Sequence, residues 1–528
     1  MNIHGRGPDD CHISYYKGKY MVGFHRLAIM DVSSKGSQPF IFYHKKVKYT
    51  CICNGEIYNA ESLKTQLNET YRFNSGSDCE VLIPLYLEYG DSMVEHLDGV
   101  FAFVIIIEPF NSDSTHYYIA RDRFGIRPLY IGKDNYGNFI VGSELKSMKT
   151  LANESKQFPP GYYKNISFYG NYQEITTNYY SMSQFAKYGM QKDINKLYKS
   201  IRDTLISSVE KRLLSDRPVC ALLSGGLDSS LVCSIASYLL KKRGQTLHTF
   251  SIGIEGSPDN IYAEKVANHI GARHTIVKMD VHNVLETIRS VIWATETYDI
   301  TTIRASVGQY LVCKYIAENT DYKVLLSGDG SDEVTSGYLE NYMCPNLGEL
   351  HMHAIRRLKE IHYYDVLRAD RATSIHGLEL RVPFLDKEFV ENYLRINPCY
   401  RAPNADYCEK YLLRKSFDAG FLPTDVLWRQ KEAFSDGISS ESESWFTIIQ
   451  KHCESIVSDE QMREAKTQYT YCTPQTKEAY YYRKTFDAYY GNKFATTIPG
   501  FWMPEWNEGN DPSARTLAIY NTKKIVSV

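Results

Sequence analysis

The chain of 528 residues is too long for one ordinary hydrophobic core, so two or more domains are expected. Its 60 basic and 62 acidic residues leave a net charge of -2 with no Lys/Arg block, which argues against nucleic acid or an anionic membrane as partner and favours a small-molecule enzyme. The longest apolar run, Val100 to Ile107, falls far short of a spanning helix, the opening lacks a charged-then-apolar leader, and the 12 cysteines are scattered, so a cytoplasmic protein with reduced thiols is expected.

In the first third, short apolar runs predict strands at Tyr20 to Phe24, Val47 to Cys53, Val100 to Ile107, Tyr117 to Ala120 and Phe139 to Val141. Helical spacing appears at Ala60 to Leu67 and Glu80 to Tyr89, so antiparallel sheet with packed helices is the expected outcome. Pro159, Pro160 and Gly161 mark a turn near its end, and the polar stretch Ser181 to Asp193 reads as a linker. From Ile194 onward, strands at Val219 to Leu223, Thr249 to Ile254, His274 to Lys278 and Lys323 to Leu326 alternate with helical spacers. That alternation predicts a doubly wound parallel sheet, whose ligands bind at the carboxyl ends of its strands. The loops after Leu223, Ile254 and Leu326 are therefore expected to meet.

Two of those loops carry chemistry. Ser224-Gly225-Gly226-Leu227-Asp228-Ser229-Ser230 follows a strand and opens a helix. Its glycines admit close backbone approach, its hydroxyls donate, and the helix N-terminus adds positive dipole, which together make a phosphate trap. It lacks the Gly-Lys-Ser/Thr ending of a Walker loop, and it looks like the pyrophosphate loop of enzymes that cleave ATP to AMP. Asp228 fits such a loop if a divalent cation sits between it and the phosphates. The loop Ser327-Gly328-Asp329-Gly330-Ser331-Asp332-Glu333 is the second, and Asp332 is placed to share Mg²⁺ with Asp228 while Asp329 faces the substrate.

Further segments extend the pattern along nearly the whole chain: Gly23 to Asp31, Asn54 to Asn59, Leu97 to Phe103, Arg121 to Tyr130, Glu296 to Ser306, Gly377 to Asp386 and Lys431 to Gly437. With the two loops they resemble the asparagine synthetase family, and the tail Asp511 to Leu517, Asp-Pro-Ser-Ala-Arg-Thr-Leu, looks like its eukaryotic branch. The resemblance implies an Ntn-type glutaminase domain of antiparallel sheets with helices over 1–180, a linker over 181–195, and a doubly wound ATP-pyrophosphatase domain over 196–528. It implies ATP and Mg²⁺ as cofactors, and a reaction in which the side-chain carboxylate of aspartate attacks the α-phosphorus of ATP. The products of that step are β-aspartyl-AMP and pyrophosphate, and ammonia then displaces AMP.

By the same resemblance, Leu222 and Ile252 bracket the adenine or ribose, Ser224, Gly225, Gly226, Asp228, Ser229 and Ser230 hold the phosphates, and Ser327 with Gly328 meets the nucleotide again. Asp329 takes the place of an acidic residue that is usually Glu in near relatives, one methylene longer. Arg304 and Lys431 are the cations expected to meet transition-state and leaving-group charge. Thr301, Arg381 and Asp386 are candidates for gripping aspartate, with a structural ion pair the alternative for the last two. Dimers are typical of the family.

Ammonia in this family usually comes from glutamine, hydrolysed by a cysteine that directly follows the initiator Met and uses its own α-amino group as base. This sequence opens Met1-Asn2-Ile3-His4-Gly5-Arg6-Gly7-Pro8-Asp9 and matches only from the His-Arg-Gly-Pro-Asp motif onward, with a glycine inserted after the histidine. Cys11, the nearest thiol, lies inside the chain and has no free amine. Yet Arg26, Leu27, Ala28, Ile29, Met30, Asn54, Gly55, Glu56 and Asp78 match the glutamine-binding positions, with Asn54 and the Gly55 N–H as the implied oxyanion hole. Two expectations stay open. Either the protein begins upstream of Met1, which is favoured because losing an edge or central strand would leave ladder groups unpaired and a core face exposed, or the domain binds glutamine without hydrolysing it and free ammonia is used. A β-lactam-forming synthetase of the same architecture, and an inactive glutamine- and ATP-binding sensor, are the competing functions.

Overall fold

The computed structural model describes every residue except 1, 17, 69, 111, 113, 170, 190, 255, 404–407, 432–444, 507–510, 514–516 and 518–528. The chain divides into two compact units, one of residues 1–181, 214–217 and 374–378 and the other of 182–213, 218–373 and 379–528.

The strands of the first unit are β1 (Asp10–Tyr16), β2 (Tyr20–Arg26), β3 (Phe40–His44), β4 (Val47–Ile57), β5 (Gly99–Pro109), β6 (Thr115–Arg121), β7 (Tyr130–Lys133), β8 (Phe139–Gly142), β9 (Glu154–Gln157), β10 (Tyr162–Tyr169) and β11 (Asn171–Asn178). Six of them form one sheet in the order β11-β10-β6-β5-β4-β3, antiparallel at every pairing, and β8-β7-β9 and β1-β2 make smaller antiparallel sheets. The long apolar run belongs to β5. Phe101, Phe103 and Ile105 enter one core with the helices Ala60–Leu67 and Leu82–Tyr89, whereas Ala102, Val104 and Ile106 enter another. A strand covered on both faces has no polar alternation to show.

The strands expected in this unit are present, each longer than its apolar signal, and the second helix begins at Leu82 after a 3-10 turn at Asp78–Val81. Several strands, β1 and β11 among them, have no counterpart in the sequence pattern. β1 is mostly exposed and β11 reads Asn-Tyr-Gln-Glu-Ile-Thr-Thr-Asn, so neither carries the alternation that marks a half-buried strand.

The second unit is built on β12 (Val219–Leu222), β13 (His248–Gly253), β14 (Arg273–Lys278), β15 (Val324–Leu326) and β16 (Glu379–Arg381). They lie in the order β14-β13-β12-β15-β16 with every pair parallel. The helices Leu227–Lys242 and Pro258–Ile270 connect the first three strands, and Val281–Thr295 and Ile300–Asn319 lead back to β15. The chain thus winds outward from β12 to β14 and returns to the other side of β12, which puts a topological switch point between β12 and β15. This bears out the expected pairing of an antiparallel unit with a parallel one. β16, only three residues long, escaped the sequence reading. The stretch read as a linker is partly packed: a 3-10 turn at Met182–Phe185 buries both of those residues, and the Phe185 carbonyl lies 2.6 Å from His351 Nε2.

Candidate active site

The two loops at the switch point converge as their strand positions require. Gly225 takes φ +76°, and a Cβ there would lie 2.6 Å from the Ala263 nitrogen, so only glycine fits on either count. Gly226 then caps the helix Leu227–Lys242. Ser224 Oγ and Ser229 Oγ sit 2.9 Å apart, and the Ser224 N–H donates to Ser229 Oγ at 3.1 Å, which folds the hydroxyls around the helix N-terminus. Across from them the second loop packs so closely that a Cβ on Gly328 would lie 2.7 Å from the Ser229 nitrogen.

A cavity of about 310 Å³ opens here, lined by Leu222, Ser224, Gly226, Asp228, Ser229, Ile252, Thr301, Arg304, Ser327, Gly328, Asp329, Asp332 and Lys431 among the residues expected from sequence. Gly225 and Ser230 support that wall from behind: Arg429 donates to the Gly225 carbonyl at 3.3 Å, and Ser230 is fully buried. Arg381 and Asp386 lie outside the cavity lining. Arg381 is buried at the end of β16, donating to Glu379 at 2.8 Å and to the Arg212 carbonyl at 3.0 Å. Asp386 pairs with Arg212 at 2.8 Å and caps the helix Lys387–Leu394.

The charges are arranged in linked groups. Lys410 Nζ lies 2.6 Å from Asp228 Oδ2 and 2.6 Å from Asp332 Oδ1, and Lys431 pairs with the other Asp332 oxygen. Burial pushes the Asp332 carboxyl up, but the two lysines outweigh it and hold the group far below the usual carboxylate range. Asp329 does not stand free: it accepts from Arg368 at 2.8 Å and from Ser327 Oγ. Arg368 also donates to Asp365 at 3.1 Å and to the Gln309 side-chain amide oxygen Oε1 at 3.0 Å. Arg304 lines the cavity, yet its guanidinium is engaged by Glu478 at 2.5 Å and Asp511 at 2.9 Å. Glu333 is pushed well above the usual carboxylate range by burial and by Asp365 and Asp332, and accepts from the Tyr338 hydroxyl at 2.6 Å. Among the described residues, the buried Thr301 Oγ1 and Gln309 Nε2 have no hydrogen-bond partner, which leaves them for a ligand. Of the segment Lys431 to Gly437, residues 432–437 lie outside the described residues, as do 514–516 of the tail.

In the first unit the expected glutamine-binding positions cluster at the end of β4. The Arg26 guanidinium donates to the carbonyls of Ser33, at 2.7 Å, and Asp31, closing the loop that contains Leu27, Ala28, Ile29 and Met30. Asp31 accepts from the Gly76 N–H at 2.8 Å, and Asp78 accepts from the Ile57 N–H at 2.6 Å, which ties that loop and the Asp78 turn to the strand carrying Asn54, Gly55 and Glu56. Asn54 Nδ2 is buried with no partner among the described residues, a donor suited to an oxyanion. Cys11 is exposed on β1, 3.9 Å from His25 Nε2, and its backbone N–H donates to Asp10.

A family model described as asparagine synthase matches residues 200–356 and 342–508, and one described as a glutamine amidotransferase domain matches residues 1–195. The protein of Cricetulus griseus described as asparagine synthetase (glutamine-hydrolyzing) is 40% identical over 550 residues, taking in 99% of this chain and 96% of that protein. Those of Gallus gallus and Homo sapiens, under the same description, are also 40% identical with the same shares covered. The chain belongs to the asparagine synthetase family.

Within an asparagine synthetase scaffold, Lys410, Arg429, Arg368 and Gln309 are among the cavity residues that the sequence pattern does not single out. Arg429 stands two positions before Lys431 and its segment offered a signal; Lys410 offered none. The donor set fits a divalent cation. Two acceptor-only carboxylates from different loops reach one point, held here by the Lys410 ammonium, and phosphate oxygens can complete the shell. No group of three or more His, Cys, Asp or Glu is arranged for a metal among the described residues.

Proposed function

We propose that this chain makes asparagine from aspartate at the expense of ATP, through β-aspartyl-AMP, with release of pyrophosphate and then AMP. The observation that carries the reading is the meeting of Asp228 and Asp332 at the β12/β15 switch point, opposite a serine- and glycine-lined helix N-terminus. Ser224, Gly226 and Ser229 cradle the phosphates, and Leu222 and Ile252 flank the adenine or ribose. Asp228 and Asp332 are the residues that would hold Mg²⁺, which would supply positive charge for the departing pyrophosphate. Lys431, beside Asp332, is placed to meet the same leaving group.

The aspartate carboxylate displaces pyrophosphate from the α-phosphorus, and ammonia then attacks the acyl carbon, loses a proton and expels AMP. Thr301 and Gln309, with unused polar groups, and Asp329, steadied by Arg368, are the residues placed to hold aspartate. Nitrogen comes from glutamine bound at Arg26, Asn54, Gly55, Glu56 and Asp78, or from free ammonia. A homodimer and a cytoplasmic location belong to the same proposal; no described helix is long and apolar enough to cross a membrane.

The test is incubation with ATP, Mg²⁺, aspartate and either ammonium or glutamine. Asparagine and AMP are expected in equal amounts, and no AMP with ammonium sinks the reading. Activity with ammonium but not glutamine would assign free ammonia as the donor for this chain.

A further inference from the structure

Lys410 is the most unusual side chain of the cavity. It is 3% exposed, and its backbone is in the left-handed region at φ +59°, a conformation that lysine adopts at a cost. Its ammonium bridges Asp228 and Asp332 and lies 3.3 Å from Ser331 Oγ, which itself donates to Asp228 at 2.8 Å. Room for the stem comes from Gly337: a Cβ there would fall 2.0 Å from Lys410 Cε and 2.3 Å from Asp332 Oδ1. A strained lysine, a glycine that clears its path and two carboxylates from separate loops thus converge on one point.

With Lys431 also on Asp332, two ammonium groups already balance the two carboxylates. A divalent cation entering alone would meet those positive charges at close range in a partly buried site, where screening is weaker than at an open surface. An entering triphosphate changes the balance, because its oxygens can accept the displaced ammonium and add ligands to the cation.

We infer that Lys410 is an internal counter-cation that holds the Asp228–Asp332 pair in the nucleotide-free protein, so that the divalent cation is admitted with ATP and not before it. In this role Lys410 is a positioning residue. The inference rests on the reading of Asp228 and Asp332 as cation ligands.

Binding of Mn²⁺ to the full chain tests it, followed without nucleotide by loss of the free-ion electron paramagnetic resonance signal and with nucleotide by equilibrium dialysis, counting the excess Mn²⁺ on the protein side. The wild type should leave Mn²⁺ free without nucleotide and bind it with a non-hydrolysable ATP analogue. Lys410→Gln, which removes the ammonium and keeps much of the stem, should bind Mn²⁺ without nucleotide at least about tenfold more tightly than the wild type, and Asp332→Asn in that background should abolish the gain. Tight Mn²⁺ binding by the wild type alone would overturn the inference whatever the variants do, as would a folded Lys410→Gln with no gain. Mn²⁺ binding with the analogue that survives Asp228→Asn and Asp332→Asn together would instead overturn the ligand assignment beneath it.

Discussion

Gly328 offers a sharp test of the idea that the two loops act as one unit. A Cβ added there would sit 2.7 Å from the Ser229 nitrogen, 2.9 Å from the Asp228 carbonyl carbon and 3.0 Å from Asp228 Cβ, with 3.4 Å the start of ordinary contact. All three are atoms of the first turn of a helix and cannot swing aside as a flexible side chain would. Gly328→Ala must therefore push the second loop away from the helix by something under 1 Å, carrying Asp329 and Asp332 with it. Overpacking of this kind costs about 1–3 kcal/mol, which for a unit this large lowers Tm by only a few degrees. Misplacing catalytic groups by about 1 Å costs on the order of 100-fold in rate, so the loss of activity should far exceed the loss of stability. Pyrophosphate release with ATP, Mg²⁺, aspartate and ammonium reads the first, and thermal melting the second. Gly348→Ala, whose Cβ would approach only Asn346 Oδ1 at 3.2 Å, is the matched control and should keep wild-type turnover. If Gly328→Ala turns over within about threefold of the wild type, the loops are not held in register by this contact and the geometric argument fails.

Arg304→Met should destabilise the protein by about 3–5 kcal/mol, because Glu478 and Asp511 are left buried together; Asp511→Asn should cost about 1–2 kcal/mol by denaturant melting, and equal effects would contradict the proposed charge triad. Burial pushes the Asp299 carboxyl up to about 6 despite hydrogen bonds from Thr302 and Trp502, so the folded state binds more protons than the unfolded one, and this group withdraws stability as pH rises from its ordinary value of 3.8 to about 6. The stability of Asp299→Asn relative to the wild type should therefore climb by roughly 2–3 kcal/mol between pH 4 and pH 7 and stay level above; a flat or falling difference refutes the assignment. Asn54→Ala should weaken glutamine binding about tenfold by calorimetry while leaving ammonium-dependent turnover unchanged, and equal loss of both would deny Asn54 a role specific to glutamine.

The Ser224 to Ser230 loop, proposed to hold the phosphates, was legible because its chemistry is local. Two glycines, three serines and an aspartate within seven positions carry their own mechanism, and strand periodicity located the partner loop. Lys410 was not legible, since its pairing with Asp228 spans 182 positions and nothing in Cys-Glu-Lys-Tyr marks the lysine as unusual. Arg381 and Asp386 differ for the opposite reason. Their segment is distinctive, but what it specifies is a three-residue strand and a helix cap, and a strand that short has no period to read. Arg304 stands between these cases: it lines the cavity as expected, while the carboxylates that engage it lie 174 and 207 positions away.

The Arg304 triad also has a consequence for synthesis of the chain. Asp511, Pro512 and Ser513 are made some two hundred residues after Arg304; Pro512 and Ser513 supply part of the cavity wall, and Asp511 is one of the two acids on that arginine. Growth at roughly 5–20 residues per second separates the two by at least several seconds, during which the parallel sheet can form but the cavity cannot close. Nascent chains stalled before Asp511 therefore carry the Ser224 to Ser230 loop without a finished chamber around it, and the parallel sheet can form well before the cavity wall is complete.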